Sequence, residues 1–275
     1  IFTLTQGLST AWNTPLDERG IVGTAAGLAM MGQRSVCEIQ FGDYILNTVD
    51  LLRLIGNTCW STAGQYPMPM VLMTPVGAGI HGGIYHSQSI ESMLTQLPGW
   101  KIVMPSNAPD AFGLMLSAIQ DGNPVAYLIP KALLRMSKSP LPGEPEDLDR
   151  RINAPVGDRT GWSPDWPIMP ANTVPIGPLR VCRSGRELTL LTYGRMLHVA
   201  EQVLSTPEAA DLDGRVELCD LRTLVPYDRK AILESTRKTG RLLVLNEDRS
   251  QTNFGEHLLR VVLEELPNTK TRLLA

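Results

Sequence analysis

Short apolar runs and longer amphipathic segments alternate along most of this chain. Residues 35–41 (S-V-C-E-I-Q-F), 67–74 (P-M-P-M-V-L-M-T), 101–104 (K-I-V-M) and 124–130 (P-V-A-Y-L-I-P) have the length and apolar content of buried strands. The prolines of the second run lie at its entry, where a missing backbone donor is tolerated. Residues 45–55, 90–96 and 108–121 place apolar side chains at helical spacing. The alternation resumes further on, with strands expected at 187–193, 216–220 and 241–245 and helices at 196–204, 229–236 and 254–266. Strands and helices alternating at this spacing predict an α/β protein with mainly parallel sheets covered on both faces.

Between the two runs, residues 137–178 are rich in Pro, Gly, Asp and Arg and show no period. They read as a linker, longer than most ordered loops. Trp162 and Trp166 predict that part of it packs onto a surface. The expected organisation is a first α/β domain over 1–136, the linker over 137–178 and a second α/β domain over 179–275.

Composition narrows the function classes. The chain is 43% hydrophobic and 19% charged, the balance of a protein with a substantial core. Its net charge of −3 gives no reason to expect a nucleic acid or an anionic membrane as partner. Cys37, Cys59, Cys182 and Cys219 are scattered, with no C-x-x-C pair, which predicts reduced thiols in a cytoplasm-like compartment. No apolar run reaches the roughly 18 residues that suggest a membrane span.

One stretch, residues 14–29 (T-P-L-D-E-R-G-I-V-G-T-A-A-G-L-A), departs from the pattern. Its glycines give poor helix propensity, which makes sense for a helix whose backbone presses against another element. Glu18 stands at its N-terminal end, either as a capping charge or as a catalytic carboxyl held in a dry place.

The common α/β signatures are missing: no phosphate loop, no nucleophile elbow, no dinucleotide fingerprint, no His/Cys cluster at metal spacing. Polar residues at the carboxyl ends of the expected strands remain, where ligands sit in open parallel sheets. Gln40 and Tyr44 follow the first strand, and His81 and His86 lie in or after the glycine-rich loop 75–83. Tyr85, Ser87, Gln88 and Ser89 surround His86 with donors and acceptors just ahead of a helix. Each of these residues has a structural reading as scaffold beside the functional one.

Taken in order, T-P-L-D-E-R-G-I-V-G, E-I-Q-F-G-D-Y and Y-H-S-Q-S resemble the beta subunit of the thiamine-diphosphate-dependent dehydrogenase component of 2-oxo acid dehydrogenase complexes. The branched-chain, 2-oxoisovalerate type is the closest resemblance. D-L-R-T-L-V-P-Y-D at 220–228 and K-T-G-R-L-L-V at 238–244 are similar to that family's transketolase-like C-terminal domain. The resemblance implies a pyrimidine-binding domain followed by a transketolase C-terminal-like domain, each of three layers.

The resemblance also implies roles. Glu18 falls on the family's glutamate that hydrogen-bonds the aminopyrimidine of thiamine diphosphate, a role that needs a protonated carboxyl and so a buried one. Leu16 and Gln40 fall where the pyrimidine pocket is lined, and Tyr44 supplies its aromatic wall. His86 matches the histidine of proton transfer and acyl transfer to the lipoyl group, and His81 a second loop histidine. Asp121 and Asn123 match part of a potassium site. The diphosphate and magnesium would be held by an alpha partner, separate in an α2β2 assembly or fused. A dihydrolipoyl acyltransferase core with its lipoyl domain would receive the acyl group from a small 2-oxo acid. The implied location is the cytoplasm, or the mitochondrial matrix in a eukaryote. Other readings on the same scaffold are a pyruvate or acetoin dehydrogenase beta subunit and a non-catalytic scaffolding subunit.

Overall fold

A computed structural model of the chain describes residues 5, 8–80, 82–136, 146–147 and 171–275. His81, Trp162 and Trp166 lie outside the described residues, as does most of the expected linker.

Two five-stranded sheets organise the described residues. The first contains β1 (Ser35–Glu38), β2 (Met70–Val76), β3 (Lys101–Val103), β4 (Val125–Pro130) and β8 (Thr223–Val225), in the order β1-β2-β4-β3-β8. The second contains β5 (Arg180–Arg183), β6 (Leu188–Thr192), β7 (Val216–Asp220), β9 (Arg241–Leu245) and β10 (Lys270–Leu274), in the order β10-β9-β6-β7-β5. Every neighbouring pair is parallel except β3 with β8 and β5 with β7.

The expected mainly parallel α/β architecture is therefore present, and the central strands follow from their composition. All seven residues of β2 are buried, as befits a strand covered on both faces. β2 runs two residues beyond its expected end and takes in Pro75, which pairs with Ile129. Proline is harmless there. β1 covers only Met70 to Met73 of β2, so no neighbouring carbonyl awaits a donor from residue 75.

Three strands escape the sequence pattern. β5, β8 and β10 are edge strands of three to five residues with charged or polar content. β8 matters most, because it leaves the second half of the chain and pairs antiparallel with β3 of the first sheet. The strands thus do not divide cleanly at the linker.

A buried charge cluster reinforces this crossing. Asp110, on helix α4 (Ala108–Gln120), accepts from Arg222 at 3.0 Å and pairs with Arg180 at 3.2 Å. Asp220 accepts from the Ser106 hydroxyl at 2.8 Å and faces Arg180 at 3.5 Å. Arg222 adopts the left-handed region at φ 58°, a conformation that costs about 1–3 kcal/mol and persists where surrounding contacts fix it.

The described residues that close the expected linker pack along α4. The Val174 backbone N–H donates to the Gly113 carbonyl at 3.1 Å, and Ser117 Oγ donates to the Val174 carbonyl at 2.6 Å. Val174 and Ile176 join the apolar layer between α4 and the first sheet. All four cysteines are free thiols. Among the described residues, no helix is long and apolar enough to cross a membrane.

Candidate active site

Helix α1 (Glu18–Met30) begins the site. Its N-cap is Asp17, whose side chain accepts from the Arg19 backbone N–H at 3.2 Å. A Cβ at position 20 would stand 2.7 Å from the second Asp17 carboxylate oxygen, so Gly20 leaves room beside the cap. Capping thus falls to Asp17 and leaves the Glu18 carboxylate available for another role.

The segment expected to be a helix from residue 45 begins differently. Residues Gly42–Thr48 form a 3-10 turn, and α2 (Val49–Ser61) follows. Within the turn, Thr48 Oγ1 donates to the Ile45 carbonyl at 2.7 Å. Such local side-chain bonding competes with regular helix formation.

This turn holds both ends of the candidate site. Near its start, the Tyr44 hydroxyl lies 2.8 Å from His86 Nε2. Near its end, Asn47 Nδ2 donates to Glu18 Oε2 at 3.2 Å, and the Asn47 carbonyl accepts from Arg19 at 3.0 Å. Arg19 also pairs with Asp50 at 2.6 Å, linking α1 to the first turn of α2.

His86 Nδ1 lies 2.8 Å from the Gly82 carbonyl. A carbonyl only accepts, so Nδ1 carries the proton in the neutral ring. Nε2 is then an acceptor for the Tyr44 hydroxyl. Protonation of Nε2 reverses that bond without moving either side chain, since a phenol can donate or accept. Phe41 packs edge-on against both rings, with centroids 4.4 Å from His86 and 5.8 Å from Tyr44. Beneath it, the buried Lys131 ammonium stands 5.5 Å from the Phe41 ring centre. Burial lowers the Lys131 pKa, opposed by the negative charges of Asp43, Glu247 and Glu91.

Placement of the remaining expected residues is uneven. Gln40 is exposed at the carboxyl end of β1, and Leu16 is 81% exposed before α1. Glu18 is half-buried, not the dry group that its expected role requires. The outer face of α1 is open, with nothing within 4 Å of where a Cβ would stand at Gly23 or Gly27. Met30 and Met31 continue that face and are largely exposed. Within this chain, then, the close packing expected of the glycines is unmet.

Asp121 and Asn123 come together, but not as a cation cage. Lys101 Nζ lies 2.5 Å from Asp121 Oδ2, and the Asn123 backbone N–H donates to Asp121 Oδ1 at 2.9 Å. The Asn123 amide nitrogen points at the Gly99 carbonyl, 3.3 Å away. Arg34 donates to the carbonyls of Ile119 and Asp121 at 2.6 and 2.8 Å. Arg34 and Lys101 thus bond the Ile119 and Asp121 carbonyls and the Asp121 carboxylate, oxygens of the kind a potassium ion would need. Among the described residues, no group of three His, Cys, Asp or Glu side chains could hold a metal.

Sequence reasoning missed Asn47, Phe41 and Lys131. Asn47 was hidden inside an expected helix. Lys131 carried one legible signal, a cation directly after a buried central strand.

Two mainly parallel sheets, with aromatic and ionisable side chains at the carboxyl ends of β1 and β2, define a transketolase-like α/β protein. Residues 5–137 match the transketolase pyrimidine-binding domain family, and residues 177–274 match the transketolase C-terminal domain family. The chain is 38% identical to the 2-oxoisovalerate dehydrogenase subunit beta of Pseudomonas aeruginosa, covering 96% of this chain and 73% of that one. It is 33% identical to the protein of the same name from Bacillus subtilis, covering 96% and 74%. Against the pyruvate dehydrogenase E1 component subunit beta of Acholeplasma laidlawii the identity is 32%, covering 96% and 75%. Among solved structures, the split-gene transketolase described as an inactive beta4 tetramer shares the fold, with a TM-score of 0.68, 20% identity, and 95% and 73% coverage. The chain belongs to the family of 2-oxo acid dehydrogenase beta subunits.

Proposed function

We propose that this chain supplies the pyrimidine half of a thiamine-diphosphate site in a 2-oxo acid dehydrogenase that passes its acyl group to lipoamide. A branched-chain 2-oxo acid is the preferred substrate class, with pyruvate as the alternative. The observation that carries this reading is the 42–48 turn, which ties Glu18 through Asn47 and His86 through Tyr44.

The residues fit the cofactor's pyrimidine end. Leu16 offers an exposed apolar side chain, Tyr44 an aromatic wall, and Glu18 a carboxyl oriented through one oxygen by Asn47. When bound, thiamine diphosphate supplies the carbon nucleophile that adds to a 2-oxo acid and permits loss of CO2. Glu18 would hold the ring nitrogen, which requires its carboxyl to be protonated and shielded from water. An alpha partner seated over Leu16 and the open glycine face of α1 would provide that shielding. The partner would also hold the magnesium and diphosphate. His86, part-buried with its Nδ1 proton held by the Gly82 carbonyl, accepts from Tyr44 at Nε2 and there would pass a proton to the incoming lipoyl group.

The test is Glu18→Gln in the complex assembled with its alpha partner, assayed over a panel of 2-oxo acids. Loss of decarboxylation with an unchanged circular dichroism spectrum is expected. Near-normal turnover would remove Glu18 from the chemistry.

A further inference from the structure

Among the described residues, the loop that carries His86 has no strand partner of its own, yet its neck is held from outside by the second half of the chain. Glu247 follows β9 and reaches both limbs of that neck. Its Oε1 accepts from the Ala78 backbone N–H at 2.9 Å. Its own backbone carbonyl accepts from Ser89 Oγ at 2.7 Å. Between the limbs, the Gly77 N–H donates to the Gln88 carbonyl at 3.0 Å. Arg195, at the start of helix α5 (Arg195–Leu204), orients the Glu247 carboxylate at 3.3 Å.

Gly77 is shaped by this contact. It adopts φ 76°, and a Cβ there would stand 3.0 Å from Glu247 Oε2. The neighbouring residues extend the clamp. Asp248 accepts from Ser92 Oγ at 3.0 Å, and the Arg249 guanidinium donates to the Gln88 side chain. His86 sits three residues before Ser89, and its other tethers are the Gly82 carbonyl and the Tyr44 hydroxyl.

Resting on the function proposed above, we propose that Glu247 is a positioning residue for His86. By closing the neck at Ala78 and Ser89, it fixes the loop so that Nε2 stays within hydrogen-bond reach of Tyr44. Cutting the neck leaves the Tyr44–His86 contact dependent on a loop free to swing, and a misplacement of about 1 Å at a reacting group can cost roughly 100-fold in rate.

The experiment compares Glu247→Ala and Glu247→Gln in the complex assembled with the alpha partner. Amide hydrogen exchange over residues 76–92 is read first, without catalysis. Acyl transfer to a free lipoyl domain is read second, resolved into kcat and KM for the 2-oxo acid across pH. Alanine removes the Ala78 bond and keeps the backbone carbonyl that Ser89 reaches, so exchange at Ala78 and its neighbours should speed at least about 10-fold. It should lower kcat for acyl transfer by about 10–100-fold, with KM within about 2-fold. The alanine variant should also shift the apparent pKa of the pH profile. Glutamine, whose amide oxygen still accepts from Ala78, should keep the loop protected and stay within about 5-fold of the parent. Unchanged exchange and turnover in the alanine variant would overturn the proposal, and so would equal losses in both variants. If the alanine variant fails to accumulate, Ser89→Ala cuts one limb alone. Faster neck exchange would then support the proposal, and unchanged exchange would overturn it. Failure of the parent complex to turn over any 2-oxo acid would defeat the functional reading, while the exchange data still decide the role of Glu247.

Discussion

The Tyr44 hydroxyl and His86 Nε2 lie 2.8 Å apart, although 42 residues separate them in the chain. With Nδ1 held by the Gly82 carbonyl, this bond is the one through which the ring can gain or release its second proton. Tyr44→Phe removes the hydroxyl and keeps the ring that packs on Phe41. We expect a melting temperature within about 4 °C of the parent, since one partly exposed hydrogen bond contributes about 1 kcal/mol. Acyl transfer should fall about 5–10-fold through loss of that one bond, with a shifted pH profile. An unchanged profile would separate Tyr44 from the proton traffic of His86.

Asn47 holds the Glu18 carboxylate from the far end of the same turn. Asn47→Ala removes that donor and should reduce decarboxylation about 5-fold, the equivalent of about 1 kcal/mol. Steady-state rates with saturating thiamine diphosphate check it. An unchanged rate would mean that the Glu18 orientation comes from elsewhere.

Asp17 caps α1 and Gly20 makes room for that cap. Asp17→Ala should cost about 1 kcal/mol, read as a fall of about 2–4 °C in melting temperature. Asp17→Asn, which still accepts from the first-turn N–H, should recover most of it.

Arg34 and Lys101 occupy the carbonyls and carboxylate at the C-terminal end of α4. The melting temperature should therefore be the same in potassium chloride and in choline chloride at equal ionic strength. Arg34→Ala should lower it in both salts. A potassium-specific rise in the unaltered protein would show that the ion displaces these side chains.

Two buried carboxyls set a pH dependence. Burial raises Asp220 to about 7, and burial together with Asp248 raises Glu91 to about 8. Unfolded, both groups release their protons near pH ~4. Between these limits the folded state binds more protons than the unfolded one, so this contribution to stability is complete below about pH 4 and is lost as pH rises through 7 and 8. Asp50, lowered by Arg19, acts below that window. Urea midpoints should fall between pH 5.5 and 8.5, and Glu91→Gln should flatten the fall. A midpoint that rises with pH in the Glu91→Gln variant and the parent alike would refute it.

The regular elements were legible because central parallel strands and amphipathic helices advertise themselves by period. β2, β4 and β6 are buried and largely apolar runs, and α4 carries an Asn107 cap, a proline in its first turn and a stop before Pro124. β5, β8 and β10 were not, because an edge strand of three to five residues buries too little to impose a pattern. The order of β8 in the first sheet is a tertiary fact, fixed by pairing with β3 and by the Asp110–Arg222 contact.

The site divides in the same way. Sequence by itself determined the chemical types, a carboxylate ahead of a glycine-rich helix, a tyrosine after one strand and histidines after the next. It also determined the family through the order of its motifs. Only the tertiary structure decided which groups meet. Asp17 rather than Glu18 caps α1, Asn47 holds Glu18, Tyr44 meets His86, and Arg34 and Lys101 fill the place expected for a cation. The reason is physical: side-chain type and period are local properties of the chain, whereas a hydrogen bond between residues 29 or 42 positions apart depends on how the turn at 42–48 is packed against α1 and the loop before β3.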